Sequence, residues 1–483
     1  MVGHRLLLTR SDLWEDQKKA IQFLYEKDNA LLFADIGTGK TVIALTVMQQ
    51  WLREGVADRV LVVAPKRVCT DVWVQECDEW SHLDTHIACL AGRDAGTRAR
   101  VLEQGKGLGP DIVLINYENL PWLLKTYPKG VPDFNVLWFD EVDKMKAPGS
   151  LRFKGRGRKN SRTFMPGVRH WRENFEIVIG MTGTPVSNGL LDLWAQVYCI
   201  DGGRRLGQYI THYRREYFYQ KDRQGFKWEP FPTALENINR ALVDITFRLE
   251  SKRKEEVIYT KPRYVNLPSG VLKKYKQMER DYITEFKSPP DLDSQSYSVV
   301  ALNAGVAYGK LRQMTAGFVY KSEDEEGAIT LHDKKYRELK QLVSELNGQQ
   351  LIVVYQFKQQ LEDLQKLFGK RLQTLDAPGE FDRWNSGALQ LLAIQPQSAG
   401  HGLNLQKSGA HHICFLTEPE SAGLYNQVVG RLARTGQTNT VFVHTIYARD
   451  TVDEDRAEVV NSKRTTLAAT LDAIKRRQKE RDL

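Results

Sequence analysis

Short apolar runs alternate with amphipathic stretches along most of the chain, in two blocks. The first block holds NALLFA, RVLVVAP, DIVLINY, VLWFDE and FEIVIGMTGTP. Each run is short and rich in β-branched or aromatic residues, as strands buried on both faces of a parallel sheet must be. Helical patterns stand between them, among them TVIALTVMQQWLREG and VCTDVWVQECDEW. The second block repeats the alternation with QLIVVYQF, LQLLAIQPQ, HHICFL and VFVHTIYA. This order predicts an open α/β sheet in each block. From about Gly202 to Glu326 the apolar spacing moves toward a helix period, which reads as helical insertions and a linker. From Thr451 to Leu483 the pattern predicts one amphipathic, basic helix ending KRRQKERDL. The expected domains are residues 1–200, an α/β lobe; 201–330, insertions and interlobe linker; and 331–483, a second α/β lobe with the C-terminal helix.

Composition narrows the class. A chain of 483 residues holds two or three domains, each able to bury its own core. The net charge of +9 favours a polyanionic partner without proving one. The charge is uneven: no acidic residue falls between Lys144 and Arg172, and GSLRFKGRGRKNSRTF carries six Lys or Arg. This basic insertion, about 147–166, reads either as a solvated disordered loop or as an arm that tracks DNA, since phosphate neutralisation needs charge and no fixed shape. The five cysteines form no C-x-x-C pair, so neither a zinc site nor a disulfide framework is indicated. No apolar run approaches the ~20 residues of a membrane span, and the apolar part of MVGHRLLLTRSDLW is too short for a secretory signal. A soluble, cytoplasmic protein is the expectation. The pair His411-His412 has no partner ligands in sequence and reads as structural.

The chemistry concentrates in a few segments. ADIGTGKT, residues 34–41, follows a predicted strand and opens a predicted helix. That is the setting of a phosphate-binding loop, where backbone N–H groups face phosphate oxygens. Gly37, Thr38 and Gly39 form the turn, Lys40 supplies charge to the terminal phosphates, and Thr41 offers a hydroxyl to magnesium. VLWFDEVDK ends a strand on Asp140 and Glu141. The aspartate suits the metal, and the glutamate suits the attacking water. NQVVGRLARTGQ places Arg431 and Arg434 at i and i+3, on one helix face. They are candidates to stabilise a transferring phosphate. The second block has no phosphate loop of its own, so it reads as a lobe that completes the first lobe's site across a cleft.

Together these motifs resemble the superfamily-two helicases, and within them the Swi/Snf-type DNA translocases. That superfamily's phosphate loop is A-x-x-G-x-G-K-T, so Ala34 is its usual residue. TGTPVSNGLLDLW at 182–194 is the most specific match. SAGHGLNL at 398–405, YNQVVGRLARTGQ at 425–437 and TVDE at 451–454 are similar to later motifs, and ITFRLESKRKEEV and GKLRQMTAGFV to the linker. The likeness runs from Leu13 to about Lys475. It implies two RecA-like lobes, ATP and Mg2+ as cofactors, and double-stranded or branched DNA as partner, with single strands also in range. It further implies a monomer in a bacterial cell or phage-infected host, beside a separately encoded nuclease. By motif position, Gln17 resembles the residue that reads adenine, and Gln427, Arg431 and Arg434 resemble sensor and finger residues. Thr182 and Thr184 resemble the link from nucleotide state to DNA grip. Polynucleotide contacts are expected at Pro65, Lys66, Arg67, Asn116, Tyr117, Gln356, Phe357, Lys358 and Ser398.

The chain departs from the family pattern in places. Motif II is DEVD, with Asp143 where Swi/Snf proteins usually have histidine. Asp16 precedes Gln17 where an aromatic is common, which leaves Trp14 as the candidate to stack on adenine. Three functions stay open on sequence: a translocase on duplex DNA, a strand-separating DNA or RNA helicase, and a nucleic-acid-binding scaffold without a motor. QKSGAHHICFLTEPESAGLYNQ, residues 406–427, has no room for a strand-splitting hairpin and favours translocation.

Overall fold

The computed structural model describes residues 7–454, except 36, 147–148, 151–154, 157–164, 188, 223–226, 251–257, 282, 288–295, 301–303, 322–326, 376–378, 400–403, 420 and 435–436. The expected C-terminal helix from 455 onward and most of the basic insertion lie outside the described residues. The chain divides into two compact units, the first reaching Lys252 and the second beginning at Arg253.

In the first unit the strands are β1 (Asn29–Ala34), β2 (Val60–Ala64), β3 (Ile87–Cys89), β4 (Ile112–Asn116), β5 (Val136–Asp140), β6 (Gly155–Arg156), β7 (Met165–Pro166), β8 (Ile177–Thr182), β9 (Phe218–Gln220), β10 (Trp228–Pro230) and β11 (Thr246–Leu249). Seven of them form one parallel sheet in the order β11-β1-β8-β5-β2-β4-β3. Alternate residues of each strand enter different cores. Leu31, Phe33, Leu61, Val63, Leu137 and Phe139 join one cluster, while Ala30, Leu32, Val60, Val62, Val136 and Trp138 join the other. Period-two alternation puts an apolar core on each face, which is why these runs read as continuously hydrophobic. Within the basic insertion, β6 and β7 pair antiparallel.

The second unit holds β12 (Ile258–Val265), β13 (Ile283–Lys287), β14 (Ser296–Val300), β15 (Phe318–Tyr320), β16 (Ala328–Thr330), β17 (Leu351–Val354), β18 (Leu372–Gln373), β19 (Leu391–Ile394), β20 (His412–Phe415) and β21 (Val441–Ala448). Its six-stranded sheet, also parallel, runs β12-β21-β20-β17-β19-β18. His412 is structural here. It lies 2.6 Å from Gln349 Oε1, stacks on Phe442, and burial pushes its imidazole down to about 3.

The stretch between the two blocks is mixed and not purely helical. Besides the helices Ile210–Tyr217, Ala234–Leu242, Ser269–Asp281 and Ala304–Ala316, it contributes edge strands β11 and β12 to the two main sheets. Charged residues interrupt both strands, ITFRL and IYTKPRYV, and an edge position tolerates them. That charge hid the strand period.

Gly180 in β8 sets how closely the helix Leu193–Asp201 packs beneath the site. A Cβ there would stand 2.9 Å from Ile200 Cδ1 and 3.0 Å from Leu31 Cδ2. Gly180→Ala should therefore destabilise the first unit by about 1–3 kcal/mol through overpacking. Urea denaturation measures this, and an unchanged midpoint would show that the helix can yield.

Candidate functional site

β1, β8 and β5 are neighbours in one parallel sheet, so their carboxyl ends open side by side. Ligands of open α/β sheets bind at that edge. Here the three ends carry ADIGTGKT, TGTP and DEVD. Their adjacency is the first thing the tertiary structure adds.

The loop after β1 is held from three sides. Gly37 and Gly39 take φ of 80° and 78°, which a side chain would resist. Gly39 is also crowded: a Cβ there would sit 2.5 Å from Gln17 Nε2. Gln17 is buried and spans two partners, donating to the Thr38 carbonyl at 2.9 Å and accepting from Trp14 N–H at 2.8 Å. Its amide thus fixes the loop. Lys40 Nζ donates to the Ala34 carbonyl at 3.2 Å. Thr41 lies in the first turn of the helix Lys40–Glu54, whose N-terminus favours anions.

The carboxylates after β5 are buried in different ways. Asp140 accepts from Trp73 Nε1 at 3.0 Å. Burial and the neighbouring Glu141 push its carboxyl up, and Trp73 and Lys40 partly offset this. Glu141 has φ 55°, a left-handed conformation that is rare outside glycine. The pairing Asp140↔Met181 puts Glu141 beside Thr182, and Thr182 Oγ1 donates to Glu141 Oε2 at 3.1 Å. Thr182 Oγ1 in turn accepts from Thr184 N–H at 3.1 Å. Asp143 is buried and its carboxyl is pushed up by burial and Glu141. Its Oδ1 has no hydrogen-bond partner among the described residues. Glu141 and TGTP are therefore joined directly, without the residue at 143. Lys146 donates to Ser187 Oγ at 2.8 Å and ties the same two loops a second time.

Two residues expected to touch polynucleotide are turned inward. Tyr117 is 1% exposed, with its hydroxyl 3.0 Å from the Asp140 carbonyl and 3.2 Å from that of Glu141. It shapes the DEVD turn instead. Asn116 is buried, donates to Glu118 at 2.7 Å and accepts from Asn119 at 2.6 Å. Lys66 follows Pro65 and is exposed, and Arg67 is half-buried.

In the second unit, Gln356, Phe357 and Lys358 follow β17, and Ser398 lies in the helix Pro396–Ala399 after β19. Their strands are adjacent, so these segments share the carboxyl edge of that sheet. Lys358 is exposed. Gln356 and Phe357 N–H groups both donate to Gln360 Oε1. Gln427 is buried in the helix Ala422–Val429, and its Oε1 has no partner among the described residues. That helix ends at Val429, so Arg431 and Arg434 do not share a helix face. They lie in the turns that follow, with Arg431 buried and Arg434 half-buried. Residues 400–403 and 435–436 of the later motifs lie outside the described residues.

Sequence reasoning missed Trp73, the inward role of Tyr117, and Arg248 of β11, which bonds to Asp35. The signal for Arg248 was present as a lone arginine inside the apolar run ITFRL. Among the described residues no group of three or more His, Cys, Asp or Glu could hold a metal, and no helix is long and apolar enough to cross a membrane.

The Thr182–Glu141 bond makes a specific demand. Thr182→Val keeps shape and removes the hydroxyl. If Glu141 acts on the attacking water, as its motif position implies, turnover should fall about tenfold or more with the nucleotide KM little changed. Steady-state kinetics would decide, and wild-type turnover would remove the bond from the mechanism.

Comparison with known proteins agrees with this arrangement. A DEAD/DEAH box helicase family match covers residues 14–185. Protein p41 of Acyrthosiphon pisum secondary endosymbiont phage 1 is 31% identical over 477 residues, spanning 95% of this chain and 98% of that one. The DNA repair and recombination protein RAD54-like of Homo sapiens is 21% identical over 498 residues, spanning 91% of this chain and 63% of that protein. Two further bacterial relatives are longer, and the chain spans 43% and 46% of their lengths. The solved structure of a Sulfolobus solfataricus SWI2/SNF2 ATPase core in complex with dsDNA aligns over 94% of this chain and 92% of that one, at 18% identity and a TM-score of 0.41. With DEVD, TGTP and the phosphate loop side by side on one sheet edge, the chain belongs to the superfamily-two helicases of Swi/Snf type and is an ATP-hydrolysing enzyme.

Proposed function

We propose that the protein is an ATP-driven translocase on double-stranded DNA, which moves or strips bound proteins without fully separating the strands. One observation carries the choice of translocation over unwinding. Between Leu405 and Gln427 the described residues form a short turn (Leu405–Ser408), strand β20 and the first turns of the helix Ala422–Val429. No strand-splitting hairpin stands among them. The human RAD54-like relative acts, by its name, in DNA repair and recombination, which supports DNA as the substrate. The basic insertion, within which β6 and β7 pair, fits an arm that follows phosphates irrespective of base sequence.

The site residues fit ATP with a divalent cation. Asp140 is a buried carboxylate whose charged form needs a compensating cation, and Thr41 is a hydroxyl on the anion-binding helix turn. Those two would hold Mg2+, which would neutralise charge on the phosphates. In this reading Lys40 binds the terminal phosphates, and Glu141, aimed by Thr182, takes the proton of the attacking water. Gln427, Arg431 and Arg434 supply the remaining polar and cationic contacts to the nucleotide. Lys66, Arg67, Lys358 and Ser398 grip the DNA backbone.

Lys40→Ala should abolish ATP binding or turnover. Glu141→Gln should bind ATP and fail to hydrolyse it, with kcat down at least about a hundredfold. Arg434→Ala should bind ATP and lose the DNA-stimulated rate. Filter binding and phosphate release separate these cases, and a Glu141→Gln protein with the wild-type rate would remove its role.

The motor itself is tested by substrate. Duplex DNA should stimulate ATPase at least as well as single strands, forks or RNA. The protein should displace a triplex-forming strand while unwinding a plain duplex poorly. Efficient separation of a blunt duplex without triplex displacement would instead establish the helicase reading.

A further inference from the structure

Arg248 sits in β11, the edge strand beside β1, and is 7% exposed. A buried guanidinium is costly unless its donors are matched; here Nη1 and Nη2 are matched, while Nε has no hydrogen-bond partner among the described residues. Nη1 donates to the Phe33 carbonyl at 3.2 Å and the Leu249 carbonyl at 3.0 Å, and Nη2 donates to Asp35 Oδ1 at 2.7 Å. Asp35 is the second residue of ADIGTGKT. Its N–H donates to the Leu249 carbonyl at 3.0 Å, and its own carbonyl accepts from Thr38 Oγ1 at 2.7 Å. The root of the phosphate loop is thus bonded to the end of β11 by side chain and backbone together. Plain sheet pairing needs none of the guanidinium contacts.

The position of β11 in the chain gives this clamp a consequence. It is the last described strand of the first unit, and the chain passes into the second unit between Lys252 and Arg253. On the other side of the loop root, Lys40 donates to the Ala34 carbonyl, one residue from each of the Phe33 and Asp35 acceptors of Arg248. A bound polyphosphate competes for Lys40. Its withdrawal leaves the Ala34–Asp35 backbone with one donor fewer, at the step that Arg248 straddles. A ligand shifts a structure only through such differential contacts.

We propose that Arg248 is a positioning residue of the phosphate loop, and that β11 is the strand through which the loop's nucleotide state reaches the chain leading into the second unit. This rests on the reading of the protein as an ATP-driven motor. The fork of Arg248 joins Phe33, Asp35 and Leu249, so a shift at the loop root is passed to Leu249. Lysine cannot reproduce that fork with one ammonium.

The test uses the full chain with Asp35→Asn and Arg248→Lys. Asp35 is about one-third exposed at its side chain, so its variant keeps the buried contacts and the fold. Three readouts are taken: KM and kcat for ATP, melting temperature with and without a non-hydrolysable ATP analogue, and hydrogen exchange at Thr246–Leu249 with and without that analogue. The wild type should show nucleotide-dependent exchange at β11. Both variants should lose that dependence, and KM for ATP should rise about tenfold, more than kcat falls. The analogue should also stabilise the variants less than the wild type. The proposal is overturned if exchange at β11 in the wild type ignores nucleotide. It is equally overturned if the folded variants lose melting temperature by the same amount with and without analogue while KM stays put. Failure of the motor reading looks different: wild-type ATPase would not respond to DNA, while the exchange and binding readouts still decide the role of Arg248.

Discussion

The structure depends on accommodating carboxylates at the end of a strand that is buried on both sides. Asp140 closes β5, whose five residues are all buried, and the next residues, Glu141 and Asp143, crowd the same corner. Desolvation opposes the charges of Asp140 and Asp143. The fold answers with local donors and a neighbouring cation: Trp73 and Lys40 on Asp140, and Thr182 on Glu141. The left-handed backbone at Glu141 adds strain of about 1 kcal/mol or more. That strain persists because Tyr117 braces the carbonyls of Asp140 and Glu141 from beneath. A cation at such a turn would relieve the repulsion among these carboxylates.

The sheet converts this corner into a coupled device. The register of β5 on β8 places Glu141 next to Thr182, and that of β8 on β1 pairs Thr182 with Phe33. Glu141, TGTP and the root of the phosphate loop are thus neighbours in one hydrogen-bonded layer. Gln17 and Arg248 hold the loop from opposite chain ends, one from the first helix and one from the last strand of the unit. Small shifts at the loop are resisted by packed elements, which move as discrete bodies.

The second unit solves a similar problem by a different route. Its buried charges gather at one junction lined by Arg312, Lys335, Glu418 and Asp453, of which Lys335 and Asp453 form an ion pair. Lys335 meets Asp453 at 2.7 Å, Arg312 donates to the Glu418 carbonyl at 2.7 Å, and Tyr447 donates to Glu418 at 2.8 Å. Asp453 belongs to TVDE, and Glu418 follows β20 on the approach to the helix of Gln427. Through Lys335, which also donates to the Leu416 carbonyl at 2.8 Å, the closing motif is tied to the segment that leads to the helix of Gln427. Buried pairs of this kind contribute specificity of arrangement more than net stability.

The sequence by itself determined the central strands, the loop and the family. The buried runs are apolar on both faces, and ADIGTGKT, DEVD and TGTPVSNGLLDLW carry local chemistry that needs no distant partner to be recognised. It also determined that the site would sit at strand ends, because each motif directly follows an apolar run. Only the tertiary structure decided which strand ends are neighbours, since order in a parallel sheet comes from crossovers that leave no local trace. It turned Tyr117 and Asn116 inward, because a polar residue after a strand has the same sequence signature whether it faces a ligand or braces a turn. It ended the helix at Val429, so that i, i+3 spacing did not place Arg431 and Arg434 on one face. It made strands of ITFRL and IYTKPRYV, where edge positions accept charges that a central strand would exclude. Arg248 belongs with these: its role depends on a carboxylate more than two hundred residues away, and no window of sequence contains both.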